Sequence, residues 1–193
     1  MKINIHTHNP KLGELTLSSA GIHPYFAADA TTDSLLAIER NATSIDAIGE
    51  IGLDYSCSVD KGVQSLIFRA QLEIAQKAGK GVVLHCVKAF EETMNTLKAY
   101  NLKFVIFHGF IGSAVQAARA TERGYYLSFG ERTFRSPRSM EALKATPIDR
   151  LFLETDEADV SIDEIYGKVS EILGVPVAVL EYITNENYNR ICG

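Results

Sequence analysis

Seven short apolar runs recur along the chain, each ending in a polar cluster: residues 2–8, 15–23, 47–54, 81–86, 103–110, 125–130 and 150–156. Their near-continuous apolar, β-rich character predicts strands buried on both faces, as in a parallel sheet. Helical spacing appears between the later runs. Val63, Leu66, Ile67, Ala70, Ile74 and Ala78 recur every three or four positions, and Gly79 ends the pattern. Ser161 and Glu164 predict a capping box ahead of Ile162, Ile165, Val169 and Ile172, with Gly174 as the stop. Pro176 is expected in the first turn of a last helix that carries Leu180 and Ile183. Strands alternating with helices imply a parallel sheet covered by helices, either doubly wound or closed into a barrel. The connection between the first two runs, with Asn9, Pro10 and Gly13, is too short for an ordinary crossover, since a whole βαβ unit takes about 30 residues. The count is therefore seven strands, not eight.

Composition narrows the class. The chain has 193 residues, enough for one sizeable core, so a single domain over 1–193 is expected. Hydrophobic residues make up 46% and charged residues 22%, values that argue against disorder. A net charge of -5 argues against broad adhesion to nucleic acid or acidic membranes, though not against a local basic pocket. No apolar run approaches the roughly 20 residues of a membrane span. The N-terminal residues enter a strand-like run without a signal-peptide pattern, and three scattered cysteines, Cys57, Cys86 and Cys192, do not suggest a disulfide framework. A cytoplasmic location is the expectation, with no obligate protein partner.

The five histidines, at positions 6, 8, 23, 85 and 108, all fall at or near the C-terminal ends of the runs. In a barrel those ends share one face, where catalytic residues gather. His6 and His8 are two apart and so project to the same side of a strand. Glu50 and Asp156 occupy equivalent strand ends. A lone strand-end histidine can equally cap a helix, and either acid alone can be an ion-pair partner. Five imidazoles and two carboxylates converging on one face point instead to a divalent-metal site. Cys86 follows His85, faces the opposite side, and is expected in the core.

The blocks that carry these residues are His6-Thr7-His8, Gly21-Ile22-His23-Pro24, Gly49-Glu50-Ile51-Gly52-Leu53-Asp54-Tyr55, Val83-Leu84-His85, His108-Gly109-Phe110-Ile111-Gly112-Ser113 and Arg150-Leu151-Phe152-Leu153-Glu154-Thr155-Asp156. In this order, over nearly the whole chain, they resemble the TatD-type metal-dependent deoxyribonucleases of the amidohydrolase superfamily. The resemblance implies an α/β fold, a TIM-like metal-dependent hydrolase barrel, here incomplete with seven parallel strands. It implies a phosphodiesterase with two divalent ions (Zn, Mg or Mn). His6, His8 and Asp156 would hold one ion, Glu50 would bridge, and His85 and His108 would hold the second. His23 would face the substrate near a phosphate oxygen, and Asp156 would accept the nucleophile's proton. The catalytic set is thus Glu50, Asp156 and His23, and the substrate is DNA ends or short oligonucleotides.

The chain departs from the family in three places. The helix, strand and helix normally found between His-x-His and Gly-Ile-His-Pro are collapsed to a short connection. Glu157-Ala158-Asp159 lacks the proline and aromatic usual there, and Val87 stands for a common arginine, with Lys88 next to it. Lys88 would contact phosphate, or extend its stem along the surface. Arg132, Arg135 and Arg138 surround Phe134, and this group would bind phosphate and stack a base, or form a solvated loop. The rival functions are hydrolysis of a small-molecule ester, lactone or amide on the same metals, and a barrel that has lost catalysis.

Overall fold

The structure is a computed structural model and describes residues 1–193. In its first half, strands β1 (Lys2–Ile3), β2 (Glu14–Leu15) and β3 (Ser19–Ala20) precede helix α1 (Thr32–Asn41), β4 (Ala47–Asp54), α2 (Lys61–Lys77), β5 (Gly81–Val87) and α3 (Phe90–Leu97). There follow β6 (Val105–Phe107), α4 (Ala114–Thr121), β7 (Tyr126–Phe129), α5 (Pro137–Ala145), β8 (Leu151–Leu153), α6 (Ile162–Leu173) and α7 (Val177–Cys192). The chain divides into two compact units, Leu17–Phe107 and Met1–Thr16 with His108–Gly193.

In the unit Leu17–Phe107 the strands run parallel in the order β3-β4-β5-β6, with Ser19 opposite Ala47, Ala47 opposite Gly81 and Val82 opposite Val105. Ile48, Ile51, Leu53, Val82 and Leu84 are almost fully buried, as expected for strands covered on both faces. Helix α2 starts where the Asp60 carboxylate accepts from the Gly62 and Val63 N–H groups, and it gives way to left-handed Gly79 at φ 64°. The helix is where the pattern predicts it, but it is rotated. Its buried face is Gln64, Phe68, Gln71, Leu72 and Ala75, while Leu66 is 67% exposed. Both buried amides are fully bonded, which removes the cost of burying them. Gln64 accepts from the Asp54 N–H at 2.8 Å and donates to the Asp54 carbonyl at 2.9 Å. Gln71 does the same for Ile22, at 2.6 and 3.1 Å.

The other unit is built differently. β1 pairs with β2 and β7 with β8, all parallel. Beyond the short strands the chain continues alongside itself: Ile5 N–H donates to Leu153 O, Asp156 N–H to His6 O and His8 N–H to Asp156 O, at 3.0 to 3.2 Å. Helix α6 has the predicted capping box between Ser161 and Glu164 and ends at Gly174, φ 65°. Pro176 lies one position earlier than expected, as the N-cap of α7. Tyr166, fully buried, donates its hydroxyl to Ile3 O at 3.0 Å and ties α6 to β1.

Run 15–23 is not one strand. Leu15 pairs with Ile3 and Ser19 with Ala47, so the ladder changes partner across three residues and leaves two short strands. Ser18 marks the break, with its N–H and hydroxyl both donating to the Asp46 carboxylate at 2.8 and 2.7 Å.

Candidate metal centre

The five histidines and both predicted acids form two clusters, one in each unit; Asp156, His6, His8, His23 and His108 lie beyond strand ends, whereas His85 lies within β5 and Glu50, expected at a strand end, is in the middle of β4. In the unit Leu17–Phe107, His23, Glu50 and His85 bring one ligand atom each to within 4.8 Å of the others. Glu50 is on β4 and His85 on β5. The pairing of β4 with β5 demands glycine opposite His85: Gly52 has φ 139°, and a Cβ there would lie 2.0 Å from the His85 carbonyl oxygen.

Hydrogen bonds assign each ring a task. His23 precedes a short 3-10 turn, Pro24–Asp29, and its Nδ1 accepts from the Tyr25 N–H at 3.1 Å. A neutral ring that accepts at Nδ1 carries its proton on Nε2, here 3.3 Å from Glu50 Oε1. In that tautomer the ring offers its Nε2–H as a donor, although His23 also belongs to the candidate ligand group with Glu50 and His85. It caps a turn and serves the site at once. His85 has a carboxylate at each nitrogen, Glu50 Oε1 at 2.9 Å from Nδ1 and Asp54 Oδ2 at 2.8 Å from Nε2. Asp54 is buried, and its other oxygen accepts from the Ser56 N–H and hydroxyl at 2.8 and 2.5 Å. Burial works to raise the Asp54 pKa, but the bonds from Ser56 and His85 outweigh it and hold the carboxyl below its ordinary value.

The second cluster has His6, His8, His108, Glu154 and Asp156. His8 Nε2 is 3.5 Å and His6 Nε2 3.9 Å from Asp156 Oδ1, and the His6 and His108 rings are 4.4 Å apart. His108 Nδ1 is 3.3 Å from Glu154 Oε1, so the Glu154 carboxylate orients that ring. His6, His8 and Asp156 form one candidate ligand group and His108, Glu154 and Asp156 another. Asp156 adopts a left-handed backbone, φ 54°, rare for a residue with a Cβ and found where a site imposes it. Asn4 holds the segment: it accepts from the Thr155 N–H and donates to the Thr155 hydroxyl and to Glu14, each at 2.9 Å.

Both clusters suit a borderline divalent cation, with imidazole and carboxylate donors. Glu154 Oε2 gives the stronger indication. It is buried with no hydrogen bond of ordinary geometry, the Ser128 hydroxyl acting on the carboxyl least of its neighbours, and a nearby cation would compensate. Burial works to raise the Glu154 pKa, but His108 chiefly, and His6, hold the carboxyl below its ordinary value.

Asp54 and Glu154 escaped the sequence reading, although the signal was present. Each lies an even number of residues from a predicted acid in the same apolar run, Asp54 four after Glu50 and Glu154 two before Asp156, and strand periodicity would send such pairs to one side. The predicted cations are exposed. Arg135, largely exposed, pairs with Glu131 at 2.5 Å, and Arg138 donates to Gln116 at 2.9 Å. Lys168 lies over the Phe134 ring, 5.2 Å from its centroid. Arg132 is exposed, as is Lys88, whose φ of 52° is also left-handed. Cys86, expected in the core, is only half-buried; it lies 3.5 Å from Thr93, and burial pushes its thiol up to about 11.

Comparison with solved structures shows the fold. A TatD homologue from Escherichia coli K12, YjjV, superposes with a TM-score of 0.84 at 21% identity, over 94% of this chain and 78% of that one. A TatD-family hydrolase from Entamoeba histolytica gives 0.80 at 20% identity, over 93% and 74%. The fold is TIM-like, α/β with parallel strands. The model of the TatD related DNase family matches residues 5–193, and the chain belongs to that family. The uncharacterized metal-dependent hydrolase YabD of Bacillus subtilis is 34% identical, over 90% of this chain and 76% of its own length. The 3'-5' ssDNA/RNA exonuclease TatD of Erwinia tasmaniensis is 33% identical, over 72% of this chain and 57% of its own length. The match thus spans between about half and three quarters of these relatives.

Proposed function

We propose that the protein is a divalent-metal-dependent phosphodiesterase that removes nucleotides from DNA ends or short oligonucleotides. Two clusters of imidazole and carboxylate donors on or just beyond the strands, in the family's motif order, carry this reading. By correspondence with the family's motifs, His6, His8 and Asp156 would hold one ion, His85 and His108 would hold a second, and Glu50 would serve both. Zn, Mg and Mn are the candidate ions. Bound ions of this kind supply positive charge at the phosphate and allow water to ionise near neutral pH.

The chain's own groups do the rest. His23, with its proton on Nε2, donates to a non-bridging phosphate oxygen and steadies the charge that grows there. Asp156, whose carboxylate lies 3.5 Å from His8 and 3.9 Å from His6, accepts the proton of the attacking water. Glu50, Glu154 and Asp54 keep the histidine rings oriented, so little reorganisation accompanies the reaction. Lys88, Arg132 and Arg135 are the exposed cations available to phosphates further along a strand. With a net charge of -5, contacts to long duplex DNA are weak, which favours ends and short substrates. Three cysteines outside any disulfide fit a reducing cytoplasm, and no helix is long and apolar enough to cross a membrane.

The test is to strip the protein with chelator, restore Zn, Mg or Mn, and offer short single-stranded DNA beside chromogenic carboxylic esters and lactones. Metal-dependent release of nucleotides supports the proposal. Ester turnover without DNA cleavage would transfer the site to small-molecule hydrolysis. Failure to bind metal would leave a barrel without catalysis.

A further inference from the structure

The turn that follows His23 carries two large aromatic residues that the core does not use. Tyr25 and Phe26 are 51% and 61% exposed, whereas Phe68, Phe90, Phe104 and Phe107 of the same unit are buried. The Tyr25 ring stands edge-on to His23, with centroids 4.4 Å apart, and is 5.9 Å from His85; Phe26 is 6.4 Å from His23. The Tyr25 N–H is also the donor that places the His23 proton on Nε2. One short turn therefore presents a donor suited to a phosphate oxygen and, within two residues, two exposed rings. Scattered exposed aromatics require no explanation, but an adjacent pair beside such a donor is a binding feature.

We propose that Tyr25 and Phe26 form a stacking step for an unpaired base of the nucleotide whose phosphate His23 contacts. This rests on the nuclease reading and deepens it, because it assigns the side chains that contact the base rather than the phosphate. A base within a duplex is already stacked and cannot lie on the rings. Every base offers a π face, so the step is tolerant of sequence. It also supplies affinity that an acidic protein does not gain from phosphate contacts alone.

The experiment compares a short oligothymidylate with an oligomer of equal length built wholly from abasic tetrahydrofuran units. The metal-loaded wild type is run beside Tyr25→Phe, Tyr25→Ala and Phe26→Ala. Any substitution but proline keeps the N–H that holds His23, and metal content checks that the cluster is intact. Each alanine variant is expected to raise KM on oligothymidylate by about 5- to 100-fold per lost ring, with kcat retained. In Phe26→Ala the rise is confined to oligothymidylate, because that ring is the one further from His23, and Tyr25→Phe, which keeps its ring, retains the oligothymidylate KM. Equal KM for the two oligomers in the wild type, a Phe26→Ala variant that alters both substrates alike, or alanine variants that alter neither, overturns the stacking step and leaves the nuclease reading standing. A metal-loaded wild type that cleaves neither oligomer removes both. A dimer that the alanine variants dissociate would assign the rings to a second copy of the chain and also overturn the step.

Discussion

The two clusters use the same donor types, but the chain holds them in place by different means. His23, Glu50, Asp54 and His85 sit around two long strands, β4 with eight residues and β5 with seven, whose backbone register fixes them. Buried glutamines on α2 then clasp the backbone of Asp54 and Ile22. His6, His8, Glu154 and Asp156 extend from β1 and β8, with two and three residues. Side chains replace the ladder there: Asn4, Thr155 and Thr7 form a connected hydrogen-bonded set, and the Thr155 and Thr7 hydroxyls are 2.9 Å apart. Where regular pairing is long, a site can rest on backbone geometry; where it is short, polar side chains must supply the precision.

The largest test of this comparison removes one acid from each cluster. Glu50→Gln and Asp156→Asn are each expected to abolish metal-dependent hydrolysis while circular dichroism reports an intact fold. Unchanged turnover in both would show that the reaction centre lies elsewhere. Next come the orienting carboxylates, with Asp54→Asn and Glu154→Gln each lowering metal affinity by about 10- to 100-fold, read by competition against a chromogenic chelator. Equal affinity for wild type and variants would refute the orienting role.

Asn4→Ala and Gln64→Ala address the supporting groups directly. Each strands buried backbone partners and should cost about 2–4 kcal/mol in denaturant unfolding. Only Asn4→Ala is expected to weaken metal binding at Asp156 in proportion, since long strands back up Gln64 and short ones do not back up Asn4. Equal losses of affinity would erase the distinction.

The smallest effect is acid sensitivity in the metal-free protein. Asp54 and Glu154 are held below their ordinary values of 3.8 and 4.5, so their ionised forms favour the folded state. That contribution is complete above those values and is lost as pH falls through the depressed folded ones. Thermal unfolding measured from pH 5 downward should therefore show a falling midpoint, with a shallower fall in Glu154→Gln than in wild type. Identical slopes would disconnect Glu154 from acid stability.

The sequence by itself determined the strand runs that become β4 to β8, the caps of α6, and the place of every histidine at or near a strand end, because these follow from local pattern and periodicity. It determined the family through ordered blocks. Only the tertiary structure decided that run 15–23 splits between two ladder partners, that α2 buries Gln64 and Gln71, and that Asp54 and Glu154 stand behind His85 and His108. The physical reason is common to all three. A buried polar group is tolerated only where another segment offers its complement, and which segment arrives is a property of the folded chain rather than of any local stretch.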